Sequence, residues 1–205
     1  MAVKDITRFE DSVCALESAR SVPGGVLFLG SSTFARFPAD LAARAAAPLP
    51  ATLCGFGGST AEEALYYYPR LVAPAVPKIL VWYEGDNDPH FGYTADRAFR
   101  LSRRVWERAR ADFPGLRLVL VGVKETPGEI EANRERRAYN RRLKEYAAAR
   151  SFAAYADLPA ALNLPDGKPR KAYFCADGIH LSQAGNERLA ERIRTAILEL
   201  NDGKL

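Results

Sequence analysis

Three stretches of the chain are apolar at every position: Gly25-Val26-Leu27-Phe28-Leu29, Ile79-Leu80-Val81-Trp82-Tyr83 and Leu118-Val119-Leu120-Val121-Gly122-Val123. Each is short, rich in β-branched or aromatic residues, and has no polar side. That pattern predicts strands buried on both faces. Thr52-Leu53-Cys54-Gly55 and Phe152-Ala153-Ala154-Tyr155-Ala156 are weaker runs of the same kind. Between the runs the apolar period lengthens to three or four. Ile6, Phe9, Val13, Leu16 and Ala19 form one stripe, and Leu189, Ile193, Ile197 and Leu200 form another within Ser182–Leu200. Both predict amphipathic helices. Ala61–Leu71 follows Ser59-Thr60 and carries Glu62 and Glu63 in its first turn, a helix-start signature. Ala95–Phe113 and Glu129–Arg150 read as long charged helices.

Strands alternating with helices predict an α/β fold: a parallel sheet with helices on both faces and right-handed crossovers. No repeat, linker or low-complexity segment interrupts the pattern, so residues 1–205 are expected to form one domain. Pro159–Pro169 is a polar, proline-containing loop just before the last helix. In such sheets ligands bind beyond the carboxyl ends of the strands, so chemically unusual residues should gather there.

Composition narrows the function classes. The chain is 48% hydrophobic and 26% charged, ordinary for a globular protein. Its three cysteines are widely spaced with no CxxC pair, which argues against a zinc site or a disulfide framework and for a reducing compartment. No apolar run approaches the roughly 20 residues of a membrane span. The opening Met1-Ala2-Val3-Lys4-Asp5-Ile6 lacks the form of a secretory signal. The expectation is a cytoplasmic protein without stable membrane association, its oligomeric state unreadable. Arg97, Arg100, Arg103, Arg104, Arg108 and Arg110, then Arg134, Arg136, Arg137, Arg141, Arg142 and Lys144, would suit a nucleic-acid surface. Acids interleave with them (Asp96, Glu107, Glu129, Glu131, Glu135, Glu145), and with a net charge of only +4 they read as solvated helix faces. Tyr66-Tyr67-Tyr68 point in different directions on a helix, so one or two belong to the core. Trp82 and Tyr83 read as sheet packing.

The strand ends do hold unusual residues. The first ends in Gly30-Ser31-Ser32-Thr33, the second in Gly55-Phe56-Gly57-Gly58-Ser59-Thr60, the third in Glu84-Gly85-Asp86-Asn87-Asp88. Alone, each has an ordinary reading: a helix cap, a turn, an Asx-turn. Asp177-Gly178-Ile179-His180 precedes the last helix, with the acid three residues before an imidazole in a chain that has only His90 and His180. An acid at that spacing can fix the tautomer of the ring. Together these blocks supply a nucleophile (Ser32), a base (His180), an orienting acid (Asp177), and oxyanion donors from exposed backbone N–H groups and the Asn87 amide.

In these blocks the chain resembles the SGNH hydrolases, also called GDSL esterases or lipases. The resemblance places Ser32 as nucleophile, Gly58 as backbone oxyanion donor beside Ser32, Asn87 as side-chain donor, and Asp177 and His180 as acid and base. It implies a three-layer α/β/α fold around a five-stranded, flavodoxin-like parallel sheet, and a serine esterase acting on a small or short-acyl ester, acetylated sugars included, with no cofactor or metal. Ser31 stands where the family often has Asp, Thr33 where it often has Leu, and Leu53 where an asparagine often opens the glycine block. Glu84 occupies a position expected to be small. A carboxylate there opposes an oxyanion unless it points away, is paired, or contacts a polar or cationic substrate group at the pocket rim. His90, just after the asparagine block, is either a rim residue or a solvent-exposed loop histidine. Two other functions fit the same loops: an acyltransferase using the same nucleophile, and a non-catalytic phosphate- or flavin-binding module.

Overall fold

The computed structural model describes residues 5–18 and 22–202; Ala19, the last residue of the first predicted stripe, and Met1–Lys4 lie outside them. Five parallel strands form the sheet: β1 (Val26–Gly30), β2 (Ala51–Gly55), β3 (Ile79–Tyr83), β4 (Arg117–Val121) and β5 (Ala153–Ala156). Their order is β2-β1-β3-β4-β5, the flavodoxin-like arrangement, so the chain reverses its direction of travel between β1 and β3. β1 and β3 are buried at every position and account for the two most uniformly apolar runs, while β2, an edge strand, is mostly half-buried.

Nine helices surround the sheet among the described residues. α1 (Glu10–Ser18), α4 (Ala61–Tyr66), α5 (Tyr68–Leu71), α6 (Ala95–Asp112) and α7 (Ile130–Ala148) cover one face. α3 (Ala39–Ala46) and α9 (Gln183–Asp202) pack together on the other, with α8 (Leu158–Leu162) against α9. The short α2 (Ser32–Ala35) sits on β1 and β2. The layers are therefore α/β/α.

Three local features depart from the periodic reading. The predicted helix 61–71 divides at Tyr67, because Pro69 supplies no N–H and disfavours the helical conformation just before it. The polar loop at 159–169 begins inside α8, which uses Pro159 in its first turn and the Asp157 carboxylate as cap. α3 escapes the periodic reading because its buried face is built mainly of alanine: Ala42, Ala45 and Ala46 beside Leu41.

Packing fixes the site's foundations. Trp82 of β3 donates its indole N–H to Tyr139 of α7 at 3.1 Å, and its ring stacks edge-on against Trp106 of α6. Tyr67 and Tyr68 are fully buried and Tyr66 is about half exposed, as alternating helix directions require. Gly55 is essential to the close approach of α2 to β2: a Cβ there would lie 1.9 Å from the backbone nitrogen of Ala35. No helix among the described residues is long and apolar enough to cross a membrane.

Candidate active site

The register of the three central strands aligns their carboxyl ends: Gly30 stands level with Gly55 on one side and with Tyr83 on the other. The residues that follow must therefore meet. Ser31 leaves β1 and Ser32 opens α2. Ser31 is the N-cap residue, yet its hydroxyl makes no capping bond; it donates to Asp86 Oδ1 at 3.1 Å. The cap reading of this serine pair thus gives way to a tie between two strand ends. Ser32 is half-buried beside the glycine loop; a Cβ on Gly57 would come 3.6 Å from its own Cβ. The main-chain N–H of Ser32 belongs to the first turn of a helix, where donors have no partner within the helix.

The loop after β2 crosses next to this serine. Phe56 N–H returns to the Gly30 carbonyl at 3.0 Å, and Gly58 takes φ +87°, a left-handed conformation suited to glycine. Two sets of side chains brace it. Arg8, just before α1, donates to the Gly58 carbonyl at 2.8 Å and pairs with the buried Glu63 at 2.7 Å. Thr60 and Glu63 form a reciprocal capping box at the start of α4.

The loop after β3 closes the group. Asn87 donates one Nδ2 hydrogen to the Ser59 carbonyl at 2.9 Å, which fixes its amide against the glycine loop and leaves a second hydrogen on the same nitrogen. Asp86 is buried and ion-paired with Lys124 at 3.0 Å, and its backbone carbonyl receives Arg136 Nε and Nη2 at 3.0 and 2.7 Å. Burial works to raise the Asp86 carboxyl, but the Lys124 ammonium, Arg136 and the Ser31 hydroxyl outweigh it and hold it below the usual range. Gly85, at φ +109°, lies so close to Tyr139 that a Cβ would come within 2.5 Å of its ring.

The fourth block stands just before α9. Arg117, which opens β4, donates to the carbonyl of Leu200 near the end of α9, so α9 starts at the carboxyl edge of the sheet and runs back across it. A short antiparallel bridge, Phe174 to Leu181, ties the loop that carries the block. Asp177 Oδ2 lies 2.7 Å from His180 Nδ1, while Oδ1 accepts the backbone N–H groups of Ile179 and His180 at 2.9 and 3.0 Å. The imidazole contact, then the two backbone donors, hold the Asp177 carboxyl well below the usual range. A carboxylate only accepts, so the proton of the ring sits on Nδ1 and Nε2 is the basic nitrogen.

The structure thus brings Ser32, the Gly57–Gly58 turn and Asn87 together, and joins Asp177 to His180. One of the two rim expectations changes. Glu84 is fully buried and so does not stand at a pocket rim; its Oε1 accepts the Ser59 hydroxyl at 2.6 Å. His90 is exposed, and its Nε2 lies 3.1 Å from Arg136 Nη2 and 3.6 Å from Glu129. Arg136 itself corrects the solvated-helix reading: only 3% of its side chain is exposed, because it turns inward to the Asp86 carbonyl. Sequence reasoning missed the supporting residues Lys124, Arg136 and Arg8. Lys124 carried one usable signal, since it directly follows the apolar run of β4 on the strand next to that of Asp86.

A sequence model of the GDSL-like Lipase/Acylhydrolase family matches residues 21–188. The chain belongs to that family. It is accordingly an ester-hydrolysing enzyme. No curated protein matches it by sequence. Solved structures share the fold at low identity. A GDSL-like lipase from Bacteroides thetaiotaomicron superposes with a TM-score of 0.78 at 20% identity, over 95% of this chain and 99% of that one. A carbohydrate esterase of family 3 from Talaromyces cellulolyticus gives 0.70 at 16% identity, over 87% and 99%. A variant of a Geobacillus acetyl-xylooligosaccharide esterase gives 0.68 at 18% identity, over 88% and 96%.

Proposed function

We propose that this family member is a serine esterase for short acyl esters, acetyl esters of sugars among them, working through an acyl-enzyme on Ser32. The observation that carries the proposal is the 2.7 Å contact between Asp177 and His180 Nδ1, which orients the ring and assigns Nε2 as the free base. In this reading Nε2 takes the proton of the Ser32 hydroxyl as its oxygen attacks the ester carbonyl. The negative charge on the former carbonyl oxygen is held by the N–H groups of Ser32 and Gly58 and by the second Nδ2 hydrogen of Asn87. Protonated His180 then gives its proton to the departing alkoxide. Water, deprotonated by His180, attacks the acyl-enzyme; the carboxylic acid leaves and Ser32 regains its proton.

The short-acyl preference draws its support from the fold neighbours described as an acetyl-xylooligosaccharide esterase and a carbohydrate esterase. The test is turnover on a series of esters of increasing acyl length, with acetylated xylooligosaccharides included. Activity is expected to be highest with acetyl and to fall as the chain lengthens, and Ser32→Ala is expected to lose at least about 10⁴-fold in kcat. Near wild-type turnover in Ser32→Ala refutes the mechanism. A preference for long acyl chains refutes the substrate class while leaving the mechanism standing.

A further inference from the structure

Glu84 directly follows β3 inside the protein, with no exposed surface. One carboxyl oxygen receives the Ser59 hydroxyl at 2.6 Å, and the other, Oε2, has no hydrogen-bond partner. Its charged surroundings are acidic: Asp86 and Asp88 follow it on the same loop, and the Glu63 carboxylate of α4 acts on it through space. The cations in the neighbourhood are engaged elsewhere. Lys124 pairs with Asp86, Arg136 holds the Asp86 carbonyl and Glu129, and Arg8 pairs with Glu63. Tyr139 of α7, also buried, gives its hydroxyl to the contacts with Trp82 and Ser102. A fully buried carboxylate with one oxygen unpartnered and no cation paired to it is strongly disfavoured as an ion. Burial first, and the neighbouring carboxylates after it, push this carboxyl well above its ordinary range, against the pull of the Ser59 hydroxyl.

Ser59 links this acid to the reaction site. Its hydroxyl is bound by Glu84, and its carbonyl accepts the Asn87 amide at 2.9 Å. We infer that Glu84 is a positioning residue held as a neutral carboxylic acid, which fixes Ser59 and through it the amide of Asn87 that faces the developing oxyanion. The inference rests on the oxyanion role proposed above for Asn87. A neutral acid resolves the difficulty seen in the sequence: it provides an acceptor for Ser59 without setting a negative charge behind an oxyanion site. An amide reproduces that acceptor, and a thioether of similar length does not.

Three measurements test the inference. Infrared difference spectra of wild type minus Glu84→Gln, at neutral pH, are expected to contain the C=O stretch of a protonated carboxyl; its absence overturns the neutral acid. That band does not depend on turnover, so it stands or falls apart from the assignment of Ser32. Glu84→Gln is expected to keep kcat within about threefold of wild type, whereas Glu84→Met lowers kcat by about 10- to 100-fold with KM changed less than twofold, the size of effect that small misplacements of catalytic groups produce. In the double variant with Ser59→Ala, the kcat losses are expected not to multiply, because both substitutions break one link. Equal loss in Glu84→Gln and Glu84→Met, or fully multiplicative losses with Ser59→Ala, overturns the positioning role. If Glu84→Met does not fold, Ser59→Ala breaks the same link from its other end: a kcat loss of about 10- to 100-fold is expected, and a wild-type kcat overturns the positioning role.

Discussion

Replacing Lys124 by methionine breaks the buried ion pair that Ser31 also touches. The side chains of Lys124 and Asp86 are 3% and 5% exposed, with 3.0 Å between charged atoms. At an effective dielectric of about 20, two unit charges at that distance attract by roughly 5.5 kcal/mol. Methionine fills similar volume, so the main effect is an Asp86 carboxylate left without its partner. Arg136 stays nearby, but it binds the Asp86 carbonyl rather than the carboxylate, and the Ser31 hydroxyl offers only a neutral contact at 3.1 Å. The expected loss is therefore about 3–4 kcal/mol, toward the lower end for a broken buried pair. For a chain of this size that lowers Tm by about 6–16 °C. Urea unfolding followed by the fluorescence of the buried Trp82 and Trp106 measures it. The pH dependence has a definite sign. Asp86 is held below its ordinary pKa in the wild type, so its contribution is present above the unfolded carboxylate value, roughly 3.9, and is lost as the pH falls through the folded value. Without Lys124 the buried carboxyl takes up its proton at higher pH, so the gap between wild type and variant narrows as the solution is acidified. Asp86→Asn added to Lys124→Met should recover much of the loss. A cost under about 1 kcal/mol at pH 7, or a gap that widens in acid, would show that Lys124 does not hold Asp86 ionised in the fold.

Three further outcomes are expected. Asn87→Ala should lower kcat by about 10²–10³-fold on the best ester while KM moves little, since the amide is proposed to act chiefly in the transition state; steady-state kinetics reads this. Asp177→Asn should lower kcat by up to about 10⁴-fold without unfolding the chain, by presenting a donor to His180 Nδ1 and favouring the wrong tautomer; kinetics and circular dichroism together separate the two effects. Gly55→Ala should fail to fold or lose more than about 4 kcal/mol, because the new methyl group meets the backbone of α2 at Ala35; expression yield and thermal melts report it.

Those outcomes divide along the line between what local sequence encodes and what only the assembled chain reveals. β1, β3 and β4 were legible because burial on both faces leaves no polar position to blur the run. β2 and β5 read more weakly because edge strands keep partly exposed residues. The serine block, the glycine loop and the asparagine block are recognisable as three strand ends, and parallel register then forces them together without further information. The Asp177–His180 pair was legible because its partners are three residues apart. The supporting shell was not. Arg8 and Glu63 are separated by 55 residues and Lys124 and Asp86 by 38, and nothing local marks either pair. Arg136 looked like its neighbours on a charged helix, and its inward turn depends on the Asp86 carbonyl it meets. Glu84 was visible as an oddity, but its burial and its bond to Ser59 emerge only when β3 sits in the middle of the sheet.

The proposed mechanism stands on Ser32 as the nucleophile, activated by His180. Reaction with a serine-directed fluorophosphonate, followed by peptide mass mapping, tests it most directly. One adduct is expected, on Ser32, formed far more slowly in His180→Ala and absent in Ser32→Ala together with ester turnover. An adduct on another residue, or an unlabelled Ser32→Ala protein that still turns over esters at the wild-type rate, would contradict it.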